Sequence, residues 1–449
     1  MEEKNWAEMI QELLDKKQYT KLRQFVAELN EADIADCLEE LDDADMIKVF
    51  RLLPKDLAAE AFSYFEVENQ QMLIHSMSEK EASAMIDNLM ADDAVDLLEE
   101  MPANMVKRLL AGASPETRRD INTLLRYPED SAGSIMTVEF VDFKESNTVL
   151  QAIEKIRRVG LDSETIHVCY VLDARRELIG TVDLRKLLLS EEDDLIGDIM
   201  NENVISVNTL MDQEQVAEQF KKYDFTAMPV VDNENRLVGI ITVDDIMDIM
   251  VEETTEDMEK MAAIVPGDKP YMRSSVWEIF KQRFPWLLLL MFSATFTGAI
   301  ISSFEEALST YSALIAFIPM LMNTGGNAGG QASVTVIRGL SLEEIGYGDV
   351  PRVMWKEIRV AFFCGVCLAA ANFLKLLLFD RVGMLVALVV CITLFLAVLV
   401  AMVIGCLLPV GAKRLGFDPA VMASPFITTI VDALSLMVYF KVATILLGI

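Results

Sequence analysis

Five apolar stretches in the C-terminal part of the chain, at about 285–304, 311–335, 359–379, 383–408 and 420–440, decide its architecture first. Each is long enough to cross about 30 Å of hydrocarbon as a helix. No water is available there to bond exposed peptide groups, so runs of this length span as helices. The sequence therefore predicts an α-helical membrane domain with five spans over residues 281–449.

The second stretch carries an anomaly. Within PMLMNTGGNAGGQASVTVIR (319–338), four glycines and two asparagines stand in an otherwise apolar run. Glycine costs a helix about 1 kcal/mol relative to alanine, so the cluster needs a compensating role. Glycine lets helices approach closely, and it also lets an interrupted backbone turn its carbonyls toward a ligand. A membrane tolerates the second arrangement only against protein or a wet cavity. A hundred residues on, Asp432 in SPFITTIVDALSLMVYF has apolar neighbours on both sides. A carboxylate at that depth marks a functional site. The two segments together read as the lining of a cation pathway. The plainer alternatives are helix packing for the glycines and the capping of a broken helix for Asp432.

Charge is unevenly placed. Residues 1–264 hold 59 Asp and Glu against 26 Lys and Arg, whereas residues 265–449 hold 11 against 13. The net charge of −31 thus belongs to the first part. Such a surface repels nucleic acid and anionic headgroups and attracts cations. The N-terminal MEEKNWAEMI is acidic and lacks an apolar core, so no signal peptide is expected. The six cysteines are scattered. Cys364 and Cys367 form a CxxC within an apolar stretch and read as small packing residues, not metal ligands or a disulfide. His75 and His167 read as structural.

Residues 1–131 have helical spacing throughout, and ADIADCLEEL (32–41) resembles DDAVDLLEEM (92–101). With Pro54 and Pro102 marking boundaries, short stacked helices in an all-α superhelix are expected. Asp92 and Asp96 are spaced to share one helix face. Over 132–252 a strand–helix–strand–strand pattern occurs twice, opening at SIMTVEFVDF and at DIMNENVISV. Its helices fall at Val149 to Val159 and Gln213 to Tyr223, and its strand pairs at 168–184 and 228–245. This α/β repeat resembles a tandem pair of CBS domains, which commonly bind adenosine nucleotides such as ATP. Thr242 and Asp245 match that family's ribose-contacting Thr and Asp; Asp183 and Lys186 stand at those positions in the first copy. Residues 253–280 read as a connector opening with Glu253, Glu256, Asp257 and Glu259, acids that suit a helix N-terminus.

Basic residues fix the orientation. Arg273, Lys281 and Arg283 precede the first span; Arg338, Arg352, Lys356 and Arg359 separate the second and third; Lys413 and Arg414 separate the fourth and fifth. The remaining connections hold only Arg381, with Lys375 near the end of the third span. By the positive-inside rule the acidic part is cytoplasmic and the C-terminus outside.

No Walker A loop, dinucleotide fingerprint, HExxH or nucleophile elbow is present, so neither an enzyme nor an ATP-driven pump is expected. The membrane potential supplies about 2.3 kcal/mol per charge per 100 mV, enough for passive cation uptake. Mg2+ keeps several of its waters and binds through one or two carboxylates, as two Asp432 side chains across a symmetric dimer would provide. Asp432 alone does not discriminate Mg2+ from Co2+ or Mn2+. A reading of a different class is a nucleotide-sensing regulator anchored by the spans, although an anchor needs neither the GGNAGG cluster nor Asp432.

The order of acidic helical domain, CBS pair, acidic connector and five spans resembles the MgtE family of magnesium channels. The motifs PMLMNTGGNAGGQ, SPFITTIVDAL and YPEDSAGSIMT carry the resemblance. It implies a homodimer in the cell inner membrane whose pore is lined by spans two and five. Asp432 would be the pore carboxylate, with Gly326, Asn327 and Gly329 shaping the ion site. It further implies regulatory Mg2+ bound by Glu60, Asp92, Asp96, Asp212, Glu214, Asp224, Asp245, Asp248, Glu253, Glu256 and Asp257. Carboxylates of a strongly acidic surface repel one another, and Mg2+ between them would draw the cytoplasmic parts together and close the pore.

Overall fold

The computed structural model describes residues 6–267, 271–272, 274–304, 311–342, 344–422 and 424–448. Arg273, one of the residues used to orient the chain, lies outside them. The chain divides into two compact units, one up to Met250 and the other from Val251 onward.

The first unit opens with ten helices among the described residues, from α1 (Trp6–Asp15) to α10 (Pro115–Leu124). They are short because the sequence caps them often. Asn30 accepts from the Ala32 N–H at the start of α3 (Glu31–Glu39), and Asp42 does the same for α4 (Asp43–Phe50) through the Asp45 N–H. Ser78 and Glu81 form a capping box on α7 (Glu79–Ile86). Pro54 and Pro102 stand just ahead of α5 (Lys55–Ser63) and α9 (Ala103–Gly112), where a missing N–H costs little. The internal repeat becomes α3 and α8 (Ala91–Glu99). Ile34, Ala35, Cys37 and Leu38 are buried in one copy, and Ala94, Val95, Leu97 and Leu98 in the other.

Two copies of one α/β pattern follow. The first is β1 (Phe140–Lys144), α11 (Val149–Val159), β2 (Thr165–Leu172) and β3 (Leu178–Asp183), followed by α12 (Leu184–Leu189) and α13 (Ile196–Ile199). The second is β4 (Val207–Asn208), α14 (Gln213–Tyr223), β5 (Ala227–Val231) and β6 (Leu237–Thr242). In each sheet the first strand runs parallel to the second and the third antiparallel to it. The junction before β1 pairs with the second copy: the Ala132 N–H reaches the Met211 carbonyl at 2.7 Å and the Thr137 N–H reaches that of Ile240 at 2.8 Å. A single apolar core accordingly runs from Ile10 and Leu98 to Val216, Met228 and Ile241, whereas the first copy keeps its own core around Phe143 and Val171.

The division between units falls inside α15 (Val243–Met261). Glu253, Glu256 and Asp257 therefore lie in the second half of a 19-residue helix, not in a first turn. The helix dipole does not account for them; Asp244 and Asp245 occupy the first turn instead.

The second unit continues with α16 (Val276–Ser303), a 3-10 turn (Ser312–Phe317), α17 (Ile318–Ser341), α18 (Val350–Leu378), α19 (Met384–Arg414), a second 3-10 turn (Pro419–Met422) and α20 (Ser424–Leu447). Among the described residues, four helices are long and apolar enough to cross a membrane: α16, α18, α19 and the Pro425–Leu447 part of α20. The 24-residue α17 extends about 36 Å at 1.5 Å per residue, a sufficient length whose apolarity the glycines and polar residues dilute. It packs against α19 and α20. The Tyr439 hydroxyl donates to the Leu314 carbonyl at 3.0 Å, and Lys413 Nζ reaches the Leu340 carbonyl at 2.8 Å near the end of α17. Cys364 and Cys367 are both exposed on α18.

Candidate functional site

The helix carrying TGGNAGG is unbroken from Ile318 to Ser341, so its carbonyls are not turned aside toward a ligand. Of the two roles open to the glycines, the structure uses close approach. A Cβ at Gly325 would meet Ser435 Oγ at 2.9 Å, and one at Gly329 would meet Ile427 Cγ2 at 3.0 Å and the Ala401 carbonyl oxygen at 3.1 Å. At Gly326 it would collide with Thr428 Cγ2 and lie 3.7 Å from Asp432 Oδ1. Gly405 of α19 leaves room in the same way for the Gly329 carbonyl. Glycines at 325, 326 and 329 thus bring α17 onto the α20 face carrying Ile427, Thr428, Val431, Asp432 and Ser435, a spacing of one helical turn after another.

Asp432 sits mid-helix in α20, so it caps no helix break. Its residue is half-buried, yet Oδ1 is sealed from solvent and has no hydrogen-bond partner among the described residues. A buried carboxylate oxygen left bare is costly, which makes Asp432 the candidate ion-binding group of this unit. Asn327 lies on the exposed stripe of α17, where its Nδ2 reaches Asn323 Oδ1 at 3.3 Å.

In the first unit the structure gathers some of the sequence-designated acids. Asp92 on α8 is held well above the ordinary carboxylate range by burial, then by Asp93, Asp245 and Glu164. Burial also raises Asp245, with Asp244 and Asp248 adding to it, while the Thr242 hydroxyl, 2.7 Å from its Oδ2, works in the opposite sense. Asp93 is pushed up to about 7 by burial and then by Asp245 and Asp96; Glu164 reaches about 7 through burial, Asp245 and Asp244. Three parts of the chain thus converge: α8, the segment before β2, and the start of α15. Asp93, Asp244 and Glu164 were missed in the sequence, although the first two adjoin designated residues.

Other designated acids have local duties. Asp212 caps α14, accepting from the Glu214 N–H at 3.0 Å, and Asp224 ends that helix in the left-handed region at φ 52°. Glu60 and Asp248 are exposed on α5 and α15. In the second unit, Glu256 bonds Lys260 at 2.7 Å, and Lys260 in turn bonds Asp418 at 2.8 Å. Asp257 is raised by burial and by Asp418. Among the described residues no three carboxylate, imidazole or thiolate side chains are close enough together to hold a metal ion. The acids gathered in the first unit are charge neighbours whose mutual repulsion a divalent cation would relieve.

Residues 318–442 match the family model MgtE, divalent cation transporter; 29–130 match the MgtE intracellular N domain and 196–252 a CBS domain. The magnesium transporter MgtE of Thermus thermophilus is 36% identical over 100% of this chain and 99% of its own length. That of Bacillus subtilis is 33% identical over 92% of this chain and 93% of its own. Among solved structures, the cytosolic domain of the Mg2+ channel MgtE in complex with ATP is 37% identical, with a TM-score of 0.52, over 54% of this chain and 99% of that one. The soluble part of a magnesium transporter is 34% identical, with the same TM-score, over 55% and 97%.

Proposed function

The chain belongs to the MgtE family of divalent cation transporters, and from that membership we propose that it carries Mg2+ into the cell down the electrochemical gradient. The observation that carries this reading is Asp432 Oδ1, bare and buried beside the backbone of Gly326 between two packed helices. An anionic oxygen on a rigid helix attracts a cation without stripping it, which suits an ion that gives up its waters reluctantly. Two chains related by a twofold axis would offer one such carboxylate each. The homodimer, with an inner-membrane location, a cytoplasmic N-terminus and an external C-terminus, is the assembly proposed. In it, residues 1–131 and 132–252 form the sensor, 253–280 the connector and 281–449 the pore.

The same proposal makes the cytoplasmic acids the gate's sensor. At low internal Mg2+, Asp92, Asp93, Glu164 and Asp245 repel one another; at high Mg2+ a bound cation offsets that repulsion and favours the closed state. The ready-made Thr242–Asp245 hydrogen bond, and the ATP complex of the solved relative, also support a nucleotide at the second CBS copy as a modulator.

Mg2+ flux into proteoliposomes tests the reading. Wild-type flux should be high with the cytoplasmic face at low Mg2+ and suppressed at millimolar Mg2+, and Asp432→Ala should abolish it. Unchanged flux in that variant removes the pore assignment. Equal flux of Co2+ or Mn2+ would replace Mg2+ selectivity with general divalent transport. Strong ATP binding without any flux would favour the anchored regulator.

A further inference from the structure

The second unit contains a cation of its own at the foot of the candidate pathway. Lys260, in the last turn of α15, places Nζ 2.7 Å from Glu256 Oε1 and 2.8 Å from Asp418 Oδ2. Asp418 is itself committed: its Oδ1 accepts from the Ala420 N–H at 2.8 Å, holding the 3-10 turn Pro419–Met422 that leads into α20. One carboxylate therefore joins the end of the connector helix to the entry of the helix bearing Asp432. The next residue, Met261, packs on buried Ile337 of α17 and Ala420. Two consecutive connector residues thus touch α17 directly, through Met261 on Ile337, and the 3-10 turn that leads into α20, through Lys260 on Asp418 and Met261 on Ala420.

The charges facing this contact are Glu256, Asp257 and Asp418 on the acidic side and Arg338 on the basic side. Lys260 is partly buried, with its ammonium held between Asp418 and Glu256. Its side chain is 22% exposed, and those of Glu256 and Asp418 are 38% and 35% exposed, so the pair is partly screened but not a free surface contact.

We propose that Lys260 is a latch: a tethered monovalent cation that docks the connector on Asp418, favours the closed pore without bound metal, and so lowers the internal Mg2+ needed to close it. A sensor built only of mutually repelling acids would leave the connector undocked until several divalent ions had bound. A fixed ammonium offsets part of that repulsion in advance, and removal of it should shift the threshold, not the conduction. This rests on the gating reading above and deepens it.

The test measures Mg2+ flux in proteoliposomes against internal Mg2+ for wild type, Lys260→Met, Lys260→Arg, Asp418→Asn and the Lys260→Met/Asp418→Asn pair. Asparagine keeps an oxygen for the Ala420 N–H while losing the charge. Lys260→Met and Asp418→Asn should each raise the half-closing Mg2+ about fivefold, the scale of one partly exposed ion pair. Flux at low Mg2+ should stay unchanged, which also reports intact folding. The double variant should go no further than either single one, and Lys260→Arg should restore most of the wild-type midpoint. An unmoved midpoint overturns the latch, and a lowered one overturns it in favour of Lys260 competing with Mg2+ for the same carboxylates. Docking is read separately by oxidative cross-linking of Met261→Cys with Ile337→Cys in Mg2+-free buffer, which Lys260→Met should slow severalfold. If wild-type flux ignores internal Mg2+, the gating reading fails on its own, and an unslowed cross-link is then the result that removes the latch.

Discussion

Gly326→Ala is the most exacting test of the α17–α20 contact. The added methyl would collide with Thr428 Cγ2 and come to 3.7 Å from Asp432 Oδ1. Thr428 has little freedom to withdraw, because a β-branched side chain on a helix has few rotamers and its hydroxyl is bonded to the Pro425 carbonyl at 3.1 Å. Overpacking of this kind costs about 1–3 kcal/mol, while alanine returns about 1 kcal/mol of helix propensity. The balance is a net loss of about 1 kcal/mol, with α20 pushed outward one turn from Asp432. A displacement that weakened ion stabilisation by about 1.4 kcal/mol would reduce flux tenfold. Thermal unfolding in detergent and Mg2+ flux are the two readouts. Thr428→Ser removes the colliding methyl and keeps the hydroxyl, so it should restore both in the Gly326→Ala background. Gly411→Ala, whose methyl meets nothing within 4 Å, should be neutral or slightly stabilising. Wild-type flux and stability in Gly326→Ala, or a defect that Thr428→Ser leaves untouched, would refute the argument.

Further outcomes are expected elsewhere. Asp93 and Glu164 titrate near 7 when folded, above the unfolded value near 4, so their ionisation opposes the folded arrangement. The penalty is absent below about pH 4, grows through pH 4–7 and is complete above that. Added Mg2+ should therefore raise the melting temperature more at pH 7.5 than at pH 5.5, and equal increments would contradict the cluster's role. Asp212→Ala should cost about 1 kcal/mol of stability through the lost cap, whereas Asp212→Asn keeps the cap. If Asp212→Asn also leaves the Mg2+-induced stabilisation intact, Asp212 is a capping residue and not a ligand. Tyr439→Phe strands the Leu314 carbonyl in the core and should lower stability by about 1–3 kcal/mol, seen as a lower melting temperature with the Mg2+ threshold of gating unchanged.

Periodicity and composition were enough to determine much of this protein. Apolar runs indicated five membrane helices, four of which are long and apolar enough to cross among the described residues, and the two CBS-like helices begin and end where the sequence placed them, at Val149–Val159 and Gln213–Tyr223. Asp432 stood out as a carboxylate among apolar residues, and the fold leaves its Oδ1 buried with no hydrogen-bond partner among the described residues. Local patterns do not carry what depends on residues far apart in the chain. Whether the glycines break a helix or bring helices together turns on what faces them, and only packing against Thr428, Val431 and Ser435 decided it for close approach. The connector acids looked like the start of a helix because the boundary was placed too late; α15 begins ten residues before Glu253, continuous with the strand that precedes it. Glu164 and Asp93 come near Asp245, and Lys260 finds Asp418, through tertiary contact alone. Hydrophobic spacing is written residue by residue along the chain, whereas the electrostatic environment of a carboxylate is set by whatever folding brings within a few ångströms of it.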